Sequence, residues 1–241
     1  MYRALTLIVA SAAFCEMCYA VQGTDEELRR DVLEFLTTRC CGNVEARRVL
    51  TNEVRFGGDT NRLACVLSEF AQTNDDQIAE WAMWQLKKYA TPAQLPFLYS
   101  CATNPVLGKT AVESVLRVEG VTSNSVGLVQ AYINITNGNA AVHWDHIYVF
   151  QEMINALRDS SGEQERKMAF ELILNHAPDN IFCPIQLDRL IISADSSYRQ
   201  SKRRLSVLRG VLGNGVDEYD IFYVTNAINE LVAYPEENLP D

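Results

Sequence analysis

Along most of the chain, apolar residues recur at intervals of three and four, the spacing that places them on one face of an α-helix. Leu28, Val32, Phe35 and Leu36 form the first face, and Ala46, Val49 and Leu50 the second. Leu63, Val66, Leu67 and Phe70 follow, then Ile78, Ala82, Leu86 and Tyr89. Further faces carry Leu95, Leu98 and Ala102, then Leu107, Ala111, Val115 and Val118, and more weakly Val126, Val129 and Ile133. Ile147, Phe150, Ile154 and Leu157 are clear again, as are Leu205, Leu208 and Leu212, and finally Ile221, Val224, Ile228 and Leu231. Ile147–Phe150 and Ile221–Val224 are strand-like in composition but sit inside longer helical patterns, so both read as helix. The spacing predicts an all-α fold of about ten short helices.

The breaks carry helix start and stop signals. Thr24 with Glu27 forms a capping box, in which hydroxyl and carboxylate each satisfy an orphan backbone N–H. Thr91-Pro92 sets a cap before a proline at the first helical position, where the missing N–H costs nothing. Asn43, Asp59, Asn74, Asn104 and Ser161 are further caps. Gly42, Gly57-Gly58, Gly120, Gly138 and Gly213-Asn214-Gly215 are stops. The breaks also have a rhythm: predicted starts at Asp59, Thr91 and Ser123 lie 32 residues apart. Two-helix units at a period of ~30–40 residues mark a helical repeat array, in which no unit buries its own face and neighbours must stack.

Asn74 to Ala90, Asn104 to Gly120 and Ser161 to Ala177 each run from a cap through a polar turn to a small mid-helix residue (Ala82, Ala111, Ala169) and then large apolars. In this the chain resembles the HEAT/armadillo-like α-solenoids. The resemblance follows residues 24–177 well and 178–234 poorly. It implies a right-handed α–α superhelix whose small residues let paired helices approach closely, and which binds another protein on a concave face.

Composition narrows the functional classes. Apolar residues make up 48% of the 241, enough for a packed core. Lys and Arg number 21 against 31 Asp and Glu, and the net charge of −10 argues against a protein that tracks nucleic-acid phosphates. Residues 1–20 read as an export signal: Arg3 starts it, the uncharged apolar run Ala4–Phe14 follows, and Cys18-Tyr19-Ala20 offers a cleavage site that leaves Val21 first. Cleavage after Ala13 is a second option. An uncleaved anchor and a lipid at Cys15 are the competing readings, the latter against the bulky Phe14. The expected location is therefore periplasmic, cell-envelope or secreted, with residues 21–241 as one repeat domain.

Loss of residues 1–20 leaves Cys40, Cys41, Cys65, Cys101 and Cys183, an odd set, so one cysteine stays free or pairs between chains. Cys65 falls on an expected apolar face and Cys101 beside one; Cys40-Cys41 is the pair expected to oxidise first. The chain lacks Gly-x-Gly-x-x-Gly, P-loop, His-Glu-x-x-His and Gly-x-Ser-x-Gly motifs. Its three histidines are His143, His146 and His176. His143 and His146 flank Asp145 and could share a helix side, but a metal needs a further ligand, from His176 or a carboxylate. The other reading is a surface helix start with Trp144 packed inward. Asp75-Asp76 and Glu26-Glu27 fit first turns, where they complement the helix dipole, and Glu236-Glu237 lies in the tail. No catalytic, cofactor or metal residue is assigned.

Arg47-Arg48 is a small basic cluster. Arg199, Lys202, Arg203, Arg204 and Arg209 form a larger one, with Leu205, Leu208 and Leu212 facing in. It reads as a positive outer stripe that is either ordinary solvated surface or a site for an acidic partner, an anionic glycan or a membrane surface. Trp81 and Trp84 share a helix, as core or as lining of a groove. Asn134-Ile135-Thr136 is a glycosylation sequon. The leading expectation is an exported, non-enzymatic protein-interaction scaffold. The alternatives are an all-helical exported enzyme or enzyme subunit with a groove site, and a cell-envelope lipoprotein.

Overall fold

The computed structural model describes residues 24–38, 60–136, 143–159, 162–176, 184–213 and 218–240. Among these the regular structure is helical throughout, with no strand. The helices are α1 (Asp25–Thr38), α2 (Thr60–Phe70), α3 (Asp76–Tyr89), α4 (Leu95–Cys101), α5 (Gly108–Glu119), α6 (Ser123–Thr136), α7 (His143–Asp159), α8 (Glu163–His176), α9 (Pro184–Ala194), α10 (Lys202–Gly213) and α11 (Glu218–Val232). None of the described helices is long and apolar enough to cross a membrane. The export signal, Cys15, Cys40, Cys41, Cys183, Arg47-Arg48 and the caps Asn43, Asp59 and Ser161 lie outside the described residues. The chain forms two compact units, residues 1–97 and 98–241, whose boundary falls inside α4.

In the first unit α1, α2 and α3 pack on one another. The capping box is formed as expected: Thr24 N–H donates to Glu27 Oε2 at 2.8 Å, and Glu27 N–H donates to Thr24 Oγ1 at 3.2 Å. The expected first face is buried through Leu28, Val32, Phe35 and Leu36, as are Leu63, Val66 and Leu67 of α2 and Ala82 and Leu86 of α3. Arg29–Glu69 and Arg62–Asp25 ion pairs join α1 to α2 at the surface. The α3 cap is Asp75, one residue beyond the expected Asn74, its carboxylate accepting from Gln77 and Ile78 N–H. Thr91 and Gln94 form a capping box around Pro92, which opens a short 3-10 turn.

In the second unit the helices pack on sequence neighbours or next-but-one neighbours. Contacts run α5–α6, α5–α7, α6–α8, α7–α8, α7–α9, α8–α9, α9–α11 and α10–α11. The Arg203–Glu171 ion pair adds α8 to α10. These contacts link α5, α7, α9 and α11 in one series and α6, α8 and α10 in another. One core runs through Val112, Leu116, Ile133, Phe150, Met153, Ile154, Ile173, Leu187 and Ile191. Each such Leu or Ile contributes about 2 kcal/mol by leaving water. A second core joins Leu205, Leu208 and Val211 of α10 to Val224, Ala227 and Leu231 of α11 and to Leu239. The tail is held there by Lys202 N–H donating to the Pro240 carbonyl at 2.8 Å.

Two glycines are required by local geometry. Gly120 ends α5 at φ +79°, where a side chain would be strained. A Cβ at Gly108 would lie 2.7 Å from the Ala102 carbonyl oxygen, so α5 can start there only with glycine. Ala82, Ala111 and Ala169 are all fully buried, as close helix approach requires. The strand-like segments within α7 and α11 are helical.

Candidate functional site

On α8, the side chains of Gln164, Lys167, Met168, Glu171 and Asn175 form one stripe, since positions three and four apart share a helix face. Val126, Gly127 and Gln130 of α6 face them. Between the two helices lies an open groove of about 610 Å³, completed by Leu172. Its floor is apolar (Val126, Met168, Leu172) and its walls carry amides and one ion of each sign. Gly127 widens it: a Cβ there would meet nothing within 4 Å. A glycine inside a helix costs roughly 1 kcal/mol relative to alanine, here in exchange for open space.

The polar groups of the groove differ in how far the protein itself engages them. Gln130 donates its amide N–H to Asn134 Oδ1 at 2.8 Å, and the same nitrogen lies 3.3 Å from His176 Nε2. Glu171 accepts two hydrogen bonds from Arg203, and these hold its carboxyl below the usual carboxylate range. Gln164, Lys167 and Asn175 make no side-chain hydrogen bond or ion pair among the described residues. Lys167 and Glu171 also border a neighbouring hollow of about 440 Å³ with Glu163, Arg166, Phe170, Ala194 and Asp195.

The expected basic stripe is broken up by the fold. Arg204 is buried, with its side chain 6% exposed, and forms a bidentate pair with the 4% exposed Asp188 of α9. Its Nη1 also donates to the Arg199 carbonyl at 2.8 Å, and Tyr223 O–H donates to Asp188 at 2.9 Å. Burial works against the Arg204 charge, but the hydrogen bonds and charge of Asp188 outweigh it and raise the pKa further. Arg204 therefore does not belong to an outer stripe: it sits one helical turn before Leu208, on the core side of α10. Arg203 is committed to Glu171, and Arg209 pairs with Glu236. Arg199 is exposed and Lys202 half-buried. Tyr198 is also buried in this region, its hydroxyl without a hydrogen-bond partner among the described residues and its ring edge-on to Phe170.

The remaining sequence candidates do not converge. His146, not Trp144, turns inward: it is 5% exposed, lies 2.6 Å from Thr136 Oγ1 and packs edge-on against Tyr132, while Trp144 is 50% exposed. The α7 core stripe of Val149, Phe150 and Met153 carries position 146, whereas 144 and 148 fall on the outer stripe. The side chain of His143 lies outside the described residues. Among the described residues no group of three or more His, Cys, Asp and Glu could hold a metal. Trp84 is half exposed rather than core, and stands edge-on to Trp81 at 6.0 Å. Cys65 is exposed, because Ala64, Val66 and Leu67 take the buried side of α2. Burial raises the pKa of the half-buried Cys101. The sequon hydroxyl of Thr136 is engaged by the Tyr132 carbonyl. No family model matches this chain, nor does any curated protein or solved structure.

Proposed function

We propose that the chain is a non-enzymatic protein-interaction module of the α-solenoid type, and that the α6/α8 groove docks an extended segment of a partner protein. The observation that carries this reading is the stripe Gln164, Lys167 and Asn175, whose side chains make no hydrogen bond or ion pair among the described residues, beside an apolar floor. Amides supply both donors and acceptors, which suits a peptide backbone. The stripe runs over twelve residues of α8, Gln164 to Asn175, about 16 Å of helix axis, which about five residues of extended peptide cover. Stacked helical pairs expose long surfaces suited to such partners. The reading includes a right-handed superhelix and export by residues 1–20; N-terminal sequencing of exported protein should find Val21 first, and an intact Met1 would remove export from it.

The test is panning of a phage-displayed random dodecapeptide library on the full chain and on its Gly127→Leu variant. A leucine fills the groove while improving the helix propensity of α6, so the variant is expected to fold. Peptides enriched on the wild-type chain should lose binding to Gly127→Leu. Absence of enrichment, or equal binding to both chains, contradicts the reading.

A further inference from the structure

Resting on the groove as a docking site, we infer that Met168 is an oxidation site of the chain, and that its sulfoxide closes the groove to an apolar partner residue. The methionines among the described residues are Met83, Met153 and Met168. Met83 and Met153 are fully buried, at 0% exposure. Met168 is half-buried and lines the floor of the open α6/α8 groove beside Val126 and Leu172. A dissolved oxidant therefore reaches its sulfur directly, whereas the other two sulfurs are reached only when the core opens. Ser123, one helical turn before Gly127 on α6, donates its hydroxyl to Met168 Sδ at 3.9 Å.

The reaction is a two-electron oxygen transfer from a peroxide. Hydrogen peroxide gives one oxygen atom to the thioether: the O–O bond breaks, an S–O bond forms and water leaves. The sulfur is oxidised from sulfide to sulfoxide and the peroxide is reduced. The product is a polar group where the floor was apolar. Its oxygen is a far stronger acceptor than the thioether sulfur, and the Ser123 hydroxyl is already within reach of it. Ser123 is also the first residue of α6, so the positive end of that helix dipole lies at the same place and favours the sulfoxide oxygen. A sulfoxide oxygen accepts more than one hydrogen bond, so Ser123 alone does not satisfy it. An apolar side chain docked against Val126, Met168 and Leu172 would displace water from that oxygen and offer it nothing in return.

The test treats the full chain with hydrogen peroxide and follows each methionine-containing peptide by mass spectrometry. Met168 should gain an oxygen atom well before Met83 and Met153. In fluorescence anisotropy, a panned peptide that requires Gly127 should bind the oxidised wild-type chain about tenfold more weakly. Methionine sulfoxide reductases, one for each epimer, should restore the binding. The Met168→Leu chain keeps an apolar floor and the same cysteines, so it should bind the peptide and keep that binding through the peroxide treatment. Oxidation of Met83 or Met153 as fast as Met168 overturns the assigned site. Complete oxidation of Met168 with unchanged binding, or an equal loss in Met168→Leu, overturns the gating and leaves the groove standing. The absence of any peptide that requires Gly127 overturns the docking reading and the gating with it, whatever the order of oxidation.

Discussion

Arg204 and Asp188 form a buried ion pair in the second unit. Both charges have left water, and each is tolerable because the other, with Tyr223 and the Arg199 carbonyl, satisfies it. Removing one partner strands the other, which typically costs about 3–5 kcal/mol. Arg204→Ala is expected to lose that much stability in urea unfolding. Tyr223→Phe removes one hydrogen bond to a charged acceptor and should lose about 1.5–3 kcal/mol. An Arg204→Ala loss below that of Tyr223→Phe would contradict the buried pair. At Glu171 the sign of the pH effect is fixed by direction. Its folded pKa lies below the unfolded one, through its hydrogen bonds to Arg203. The stabilisation is therefore complete above the unfolded value of about 4.3 and is lost as pH falls through the folded value. The difference in Tm between wild type and Glu171→Gln should be present at pH 7 and shrink below about pH 4. A difference constant from pH 7 to pH 2 would rule the ion pair out as its source.

At the scale of the element, α8 organises the second unit: it packs against α6, α7 and α9 and reaches α10 through Glu171. Its fully buried Ala169 sets how closely it approaches its neighbours. Ala169→Leu is expected to destabilise by about 1–3 kcal/mol through overpacking, measured by thermal unfolding. An unchanged Tm would mean that α8 does not pack closely there. The helices with one clean apolar face were legible in the sequence, α1, α3 and α7 among them, because one-sided burial leaves a three-and-four pattern. The α9 helix was not, although Ile185, Leu187, Leu190 and Ile191 are buried along it and it packs on α7, α8 and α11. Arg204 was misplaced because a basic run reads as solvated surface, although the spacing Arg204, Leu208, Val211 put it on the core stripe. The groove itself left no local signal, because it forms between side chains some forty residues apart, each on what reads as ordinary polar helix surface.

Over the whole molecule, the contacts that hold the second unit link helices close in sequence, so its two series are built from local steps and a single core threads α5 through α9. The tail turns back on α10 and α11 and covers Leu239, which gives the last pair a partner that the two series alone do not supply. Such an architecture leaves helix faces available without disturbing the core, and the proposed docking face is the one between α6 and α8. The most direct check is photo-crosslinking. Benzoylphenylalanine is placed in the full chain at Gln164, on the groove wall, or at Asn229, on an exposed face of α11, and each chain is irradiated with a peptide selected by panning. The account predicts a crosslink from position 164, abolished by Gly127→Leu, and none from position 229. A crosslink from 229 with none from 164, while the peptide still binds, would contradict it.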